Sequence, residues 1–150
     1  MIYETLQILK EQLETYLEDS GLDKAVVLEN IALWESGSES ADNVTDKIVI
    51  SLVNLDEETT LKNTPYFKVK DNQTEYQNPP IHMNLYILIS ANRNSYDKSL
   101  RSISKTVEFF QGKSLFTSSN TVYNRTNVAF DVLDYFKFNV QLYTPGFEQL

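Results

Sequence analysis

The chain contains no cysteine and a single histidine, His82. Without thiols there is no disulfide framework, no thiolate zinc site and no catalytic cysteine, and one imidazole excludes clusters of histidine ligands. Glycine is scarce, at four residues, and no glycine-rich phosphate loop, Walker motif or nucleophile elbow occurs in the chain. Basic residues are in deficit: 13 Lys and Arg stand against 21 Asp and Glu, a formal charge of −8. Such a surface repels phosphates at long range, so neither nucleic acid nor an anionic membrane is expected as a partner. No apolar run approaches the roughly 18 residues that span a bilayer, and MIYETLQILKEQLETYLEDS lacks the cationic start and continuous apolar stretch of an export signal. The expectation is a cytoplasmic protein that is not an enzyme and uses no cofactor and no metal.

What is present fits one globular domain over residues 1–150, with 41% hydrophobic and 23% charged residues. Ile2, Leu6, Leu9, Leu13 and Leu17 recur at helical spacing and predict an amphipathic helix that Gly21 ends. AVVLENIALW, Ala25 to Trp34, predicts a strand and ESGSESADN a polar loop after it. KIVISLVNL, Lys47 to Leu55, is apolar at both alternating positions, as an interior strand is. Residues 56–80 read as a long polar loop with a short strand, TPYFKVK, inside it; IHMNLYILIS, Ile81 to Ser90, alternates as a strand does.

Tyr96, Leu100, Ile103, Val107 and Phe110 predict a second helix, Ser95 to Gln111, packed on the sheet through that stripe, with Asn94 or Ser95 as its cap and Gly112 as its stop. KSLFTSSN reads as a loop. Thr126 to Tyr143 is too long for one strand and predicts a break near Asp134, with FKFNVQLY as a half-buried strand and a turn at Pro145 and Gly146 before a further helix. Consecutive strands without intervening helices exclude a doubly wound sheet and give an α+β fold: one mixed β-sheet covered by two or more helices.

Asp56, Glu57 and Glu58 close the second predicted strand. Paired carboxylates can hold a divalent ion, so Asp56 and Glu58 could serve a metal-dependent hydrolase, and with Lys62 the group resembles a metal-dependent nuclease, but the spacing is loose, the net charge is wrong for a nucleic-acid substrate, and a solvated loop start is the better reading. His82 has neither nucleophile nor orienting partner beside it and reads as structural. Phe109, Phe110, Phe136 and Phe138 fall on helix or strand patterns and read as core. Tyr66, Phe67 and Tyr76 lie in the long polar stretch, where an aromatic either folds back or docks onto a partner. Asp56, Glu57, Glu58, Lys62, Asn63, Tyr66, Phe67 and Tyr76 are therefore the candidate assembly interface. Glu35, Glu39 and Asp42, in the polar loop after Trp34, either oppose an approaching surface by like charge or only keep the loop soluble.

Several segments together resemble one family: IVISLVNLDEETTLKNTP, Ile48 to Pro65; NPPIHMNLYILISA, Asn78 to Ala91; Tyr96 to Leu100; and VEFFQ, Val107 to Gln111. In this order they resemble the N-terminal domain of cap proteins of extracellular contractile injection systems, the tail terminators of antifeeding-prophage-like, phage-tail-derived particles. The resemblance runs from Met1 to about Gln111 and becomes vague after Ser114. It implies a tail-terminator-like fold and a ring, a homohexamer, that caps the inner tube and anchors the last layer of sheath proteins, with assembly in the cytoplasm and release outside on lysis. Members are longer, continuing through another helix and a closing segment, and Phe147 to Leu150 looks like the start of that helix. The alternative is a monomeric adaptor that docks one partner on its sheet edge or on the 56–80 loop.

Overall fold

A computed structural model describes residues 1–37, 39–58, 67–76, 82–124, 136–146 and 148, and for residues 67–70, 75 and 76 the backbone alone. The first helix, α1 (Ile2–Asp19), buries Ile8, Leu9, Leu13 and Leu17, while Ile2 and Leu6 of the predicted stripe are half-buried. Gly21 closes it with φ +81°. Its N–H donates to the Glu18 carbonyl at 3.0 Å and that of Leu22 to the Leu17 carbonyl at 2.8 Å. These left-handed closing bonds satisfy carbonyls that the last turn leaves open, in a conformation that strains a residue with a Cβ.

Strand β1 (Val26–Leu28) pairs in parallel with β2 (Lys47–Glu57), Val26 opposite Ile48 and Leu28 opposite Ile50. The strand expected through Trp34 stops after three residues, and local hydrogen bonds explain why. Ser51 Oγ donates to the Glu29 carbonyl at 2.6 Å and accepts from the Ile31 N–H at 3.2 Å. Asn30 Oδ1 accepts the Ala32 N–H at 3.0 Å, and this cap starts a 3₁₀ helix, Ile31–Ser36. The expected polar loop holds a second 3₁₀ helix, Glu39–Asn43.

Strand β2 is buried on both faces only from Ile48 to Ser51; Leu52, Val53 and Leu55, expected in the interior, are exposed. The expected 56–80 loop begins as the end of this strand and contains a hairpin, β3 (Phe67–Lys70) against β4 (Gln73–Tyr76). Asp71 and Asn72 turn it, both at positive φ, +51° and +62°. Two such residues give the tight turn whose twist matches antiparallel strands. Strand β5 (Met83–Asn92) lies on the other side of β2, in the order β1-β2-β5. The Asn92 amide reaches the Val44 carbonyl, before β2, whereas Glu58, just after β2, donates its N–H to the His82 carbonyl. β5 thus runs antiparallel to β2, and the fold is α+β with a mixed sheet.

Helix α2 (Tyr96–Gly112) starts at Ser95, whose Oγ accepts the Lys98 N–H at 3.4 Å. It ends at an extended Lys113, with Gly112 inside the helix and not in the left-handed region. Its buried residues are Ser102, Thr106, Phe109 and Phe110, which corrects the expected packing stripe. Tyr96 is 79% and Leu100 51% exposed, and Ile103 and Val107 are half-buried. Burying hydroxyls here is inexpensive because Thr106 Oγ1 donates to the Ser102 carbonyl at 2.8 Å within the helix.

The expected loop at 113–120 contains strand β6 (Leu115–Thr117), antiparallel to β7 (Lys137–Asn139), which is all that the structure shows of the strand expected over 136–143. The break expected near Asp134 and the helix start at Phe147, Gln149 and Leu150 lie outside the described residues. Aromatic rings continue the core: Tyr16 to Phe109 at 5.2 Å, Phe109 to Phe116 at 6.1 Å, and Phe116 stacked on Phe138 at 5.1 Å. Phe109 and Phe110 are both buried, 5.0 Å apart, although neighbours on one helix. Lys113 Nζ lies 4.9 Å from the Phe116 ring centre, and burial pushes its ammonium below the usual lysine range.

The chain divides into two compact units, Met1–Ser51 with Ile89–Leu150, and Leu52–Leu88. The difference between the two faces of α2 is testable. Phe109→Ala removes a buried ring and is expected to cost about 3–5 kcal/mol, whereas Leu100→Asp, on the exposed flank, is expected to change stability by less than about 1 kcal/mol. Urea unfolding followed by circular dichroism compares them; equal destabilisation would show that the helix packs through the Leu100 stripe.

Candidate functional site

Among the described residues a cluster of charge centres on Arg93, which follows β5. Its side chain is only 1% exposed. Nη2 donates to both oxygens of Asp23 at 2.7 Å and Nε to Asp46 Oδ1 at 3.0 Å. Lys98 Nζ stands 3.4 Å from Asp23 and 3.8 Å from Asp46. Asp23 is held below the usual carboxylate range chiefly by the Arg93 hydrogen bonds; Asp46 is held down first by the Asn94 N–H and then by Arg93. Every acid here is matched to a cation, and the cluster is a tie between chain segments rather than a reactive centre. Among the described residues no three His, Cys, Asp or Glu side chains come together as metal ligands would.

The second unit carries the residues expected from sequence to form an interface. Asp56 and Glu57 end β2, and Glu58 follows it. Asn84 Nδ2 donates to Glu58 Oε2 at 3.1 Å and to Asp56 Oδ1 at 3.5 Å, and the Tyr86 hydroxyl donates to Asp56 Oδ2 at 3.3 Å. The carboxylates are thus held by neutral donors of β5 instead of turning freely in a loop. The backbones of Phe67 and Tyr76 pair in register at the open end of the hairpin. Lys62, Asn63 and Tyr66 lie outside the described residues, and His82, expected to be structural, is exposed.

These hydrogen bonds also fix which residues share a face. Asp56 and Tyr86 lie on one side with Asn54 and Asn84; alternation puts Val53, Leu55, Met83, Leu85 and Ile87 on the other. That second face is apolar from Val53 to Leu55 and from Met83 to Ile87, with Glu57 at its end, and Val53, Leu55 and Met83 are exposed, Val53 to 59%. Leu52 and Leu88, also exposed, add apolar surface beside the polar side chains. Contiguous apolar surface of this kind characterises sites where proteins meet. The acids at the end of this ribbon stand out in the sequence, whereas its apolar face has no signal there, because the run from Lys47 to Leu55 reads as buried throughout.

The chain is a small α+β domain, and the family that it matches is associated with phage-tail-like contractile injection systems. Residues 4–150 match the family model of the Pvc16 N-terminal domain, and the chain belongs to that family. The match continues past Gln111, where the motif resemblance loses its detail, to the last residue of the chain. No curated protein matches it.

Two expectations follow from this geometry. With Asp23 and Asp46 lowered from the usual carboxylate value of 3.8, their contribution to stability is complete above that value and is lost as pH falls through their lower folded values. The loss of stability below about pH 4 is expected to be shallower in Asp23→Asn than in the parent chain, read by thermal melts at stepped pH; identical slopes would remove Asp23 from the account. On the ribbon, Val53→Thr with Met83→Thr keeps strand-forming residues and is expected to shift stability by less than about 1 kcal/mol while reducing binding of a hydrophobic dye. A large loss of stability would show that these residues are core.

Proposed function

We propose that this chain is a structural assembly protein that caps the inner tube of a phage-tail-like contractile particle and anchors its last sheath layer. It acts as a ring of copies, a homohexamer, in contact with inner tube and sheath proteins, and catalyses no reaction. Assembly takes place in the cytoplasm, and lysis carries the finished particle outside. The observation that carries this reading is membership of the Pvc16 N-terminal domain family over residues 4–150. The apolar ribbon of β2 and β5 supports it by supplying the uncovered surface that a subunit of an assembly needs.

A tube end grows as long as it presents the surface that the next ring recognises. A terminator therefore has to match the tube on one face and mismatch it on the other. Deleting the protein is expected to give sheathless tubes or tubes of mixed length under the electron microscope, and normal sheathed particles of uniform length would overturn the cap reading. Light scattering after size-exclusion chromatography distinguishes the alternative: a monomer that stays monomeric with tube and sheath proteins and binds one unrelated protein is an adaptor.

A further inference from the structure

The 3₁₀ helix Ile31–Ser36 contains Ile31, Ala32, Leu33 and Trp34, yet none of its residues is buried. Trp34 is 52% exposed. Its turn is nonetheless fixed at both ends, by the Asn30 cap and by Gly37 at φ +60°, and Ser36 Oγ donates to the Leu33 carbonyl at 2.6 Å. Beside it lies an open groove of about 440 Å³, with Ile31, Ala32, Trp34 and Glu35 on one side and Ser90, Ala91 and Asn92, the end of β5, on the other. Ser90 and Ala91 are small and leave room for a chain to lie alongside, and β5 is one of the two outer strands of the described sheet.

Charge identifies the occupant. Residues 25–46 carry Glu29, Glu35, Glu39, Asp42 and Asp46 and no lysine or arginine. Glu35, Glu39 and Asp42 are exposed, and among the described residues none of the three makes an ion pair. We propose that the Trp34 groove docks an extended, lysine- or arginine-bearing segment of a partner protein, with one cationic side chain seated against the Trp34 ring and Glu35. An indole face and a carboxylate attract the same cation, and an apolar stem fits the Ile31 wall. A purely apolar guest leaves Glu35 without a partner, an anion is repelled, and a metal ion finds one carboxylate in the lining where it needs several oxygen ligands. The proposal stands apart from the cap reading, since it concerns what this groove binds and not the particle to which the partner belongs.

Trp34 is the only tryptophan in the chain, so its fluorescence reports on the groove directly. The probe is a short synthetic peptide alternating arginine and threonine, and the control is its counterpart with glutamate in place of arginine, both titrated into the full chain at low salt. The arginine peptide is expected to change Trp34 emission saturably and the glutamate peptide to leave it unchanged. Glu35→Gln is expected to weaken binding about two- to fivefold, and Trp34→Ala, followed by calorimetry, by a similar factor. Asp97→Asn, which removes an acid on α2, is expected to leave affinity unchanged. Circular dichroism of the variants should match the parent, because neither Trp34 nor Glu35 is buried. No saturable change, an equal response to both peptides, or equal weakening by Asp97→Asn and Glu35→Gln would overturn the proposal.

Discussion

A guanidinium removed from water has to be matched by carboxylates, and Arg93 takes two from distant parts of the chain: Asp23, between α1 and β1, and Asp46, immediately before β2. An unpaired charge in that position costs several kcal/mol, so the three segments are held to one arrangement. The backbone adapts to it. Asp46 sits at φ +54°, a conformation that aspartate tolerates better than most residues, and its Oδ1 also accepts the Asn94 N–H at 3.2 Å. The Arg93 N–H in turn donates to Ser99 Oγ at 3.3 Å. That bond draws Ser99 towards the strand end and with it the rotation of α2 about its own axis.

With Ser99 facing inward, helical spacing brings Ser102, Thr106 and Phe109 onto the same side, and these are the positions found buried. The apolar stripe that begins at Tyr96 and Leu100 is turned to the flank. Periodicity identifies α2 as an amphipathic helix, but two apolar neighbours at Phe109 and Phe110 are compatible with two rotations of it. Tertiary contacts decide between them, the Arg93–Ser99 bond near one end and the packing of Phe109 on Tyr16 and Phe116 near the other, and such contacts have no signature within the helix itself.

The same distinction separates the legible parts of the chain from the rest. Helix α1 could be read because its stripe and its Gly21 stop act within a few residues of each other, and β2 could be read because its apolar run is long. The segment after Leu28 could not, since Ile31, Leu33 and Trp34 favour a strand; the Asn30 cap is local, but the Glu29 and Ile31 backbone groups are taken by Ser51, more than twenty residues from Glu29 along the chain. The hairpin at 67–76 did carry a local signal, the Asp71-Asn72 pair between two short strand-like runs, which the polar composition around it obscured. Of the candidate interface, the acids were legible as a group at a strand end; that Asn84 and Tyr86 hold them depends on the pairing of β5 with β2.

Both units combine exposed apolar side chains with acidic ones: Trp34 with Glu35, and Val53 and Leu55 with Glu57. Apolar surface alone would draw free subunits to one another without order, and a long exposed strand adds the same hazard. A formal charge of −8 opposes that encounter by repulsion between like molecules. The combination therefore discriminates: attraction at contact is available to any partner, whereas the approach to contact is favoured only for a surface of opposite charge or one that neutralises the acids. On the cap reading proposed above, this would couple dispersal of the free chain to selectivity during assembly, because the acids that repel like copies also weigh which surface the chain can meet.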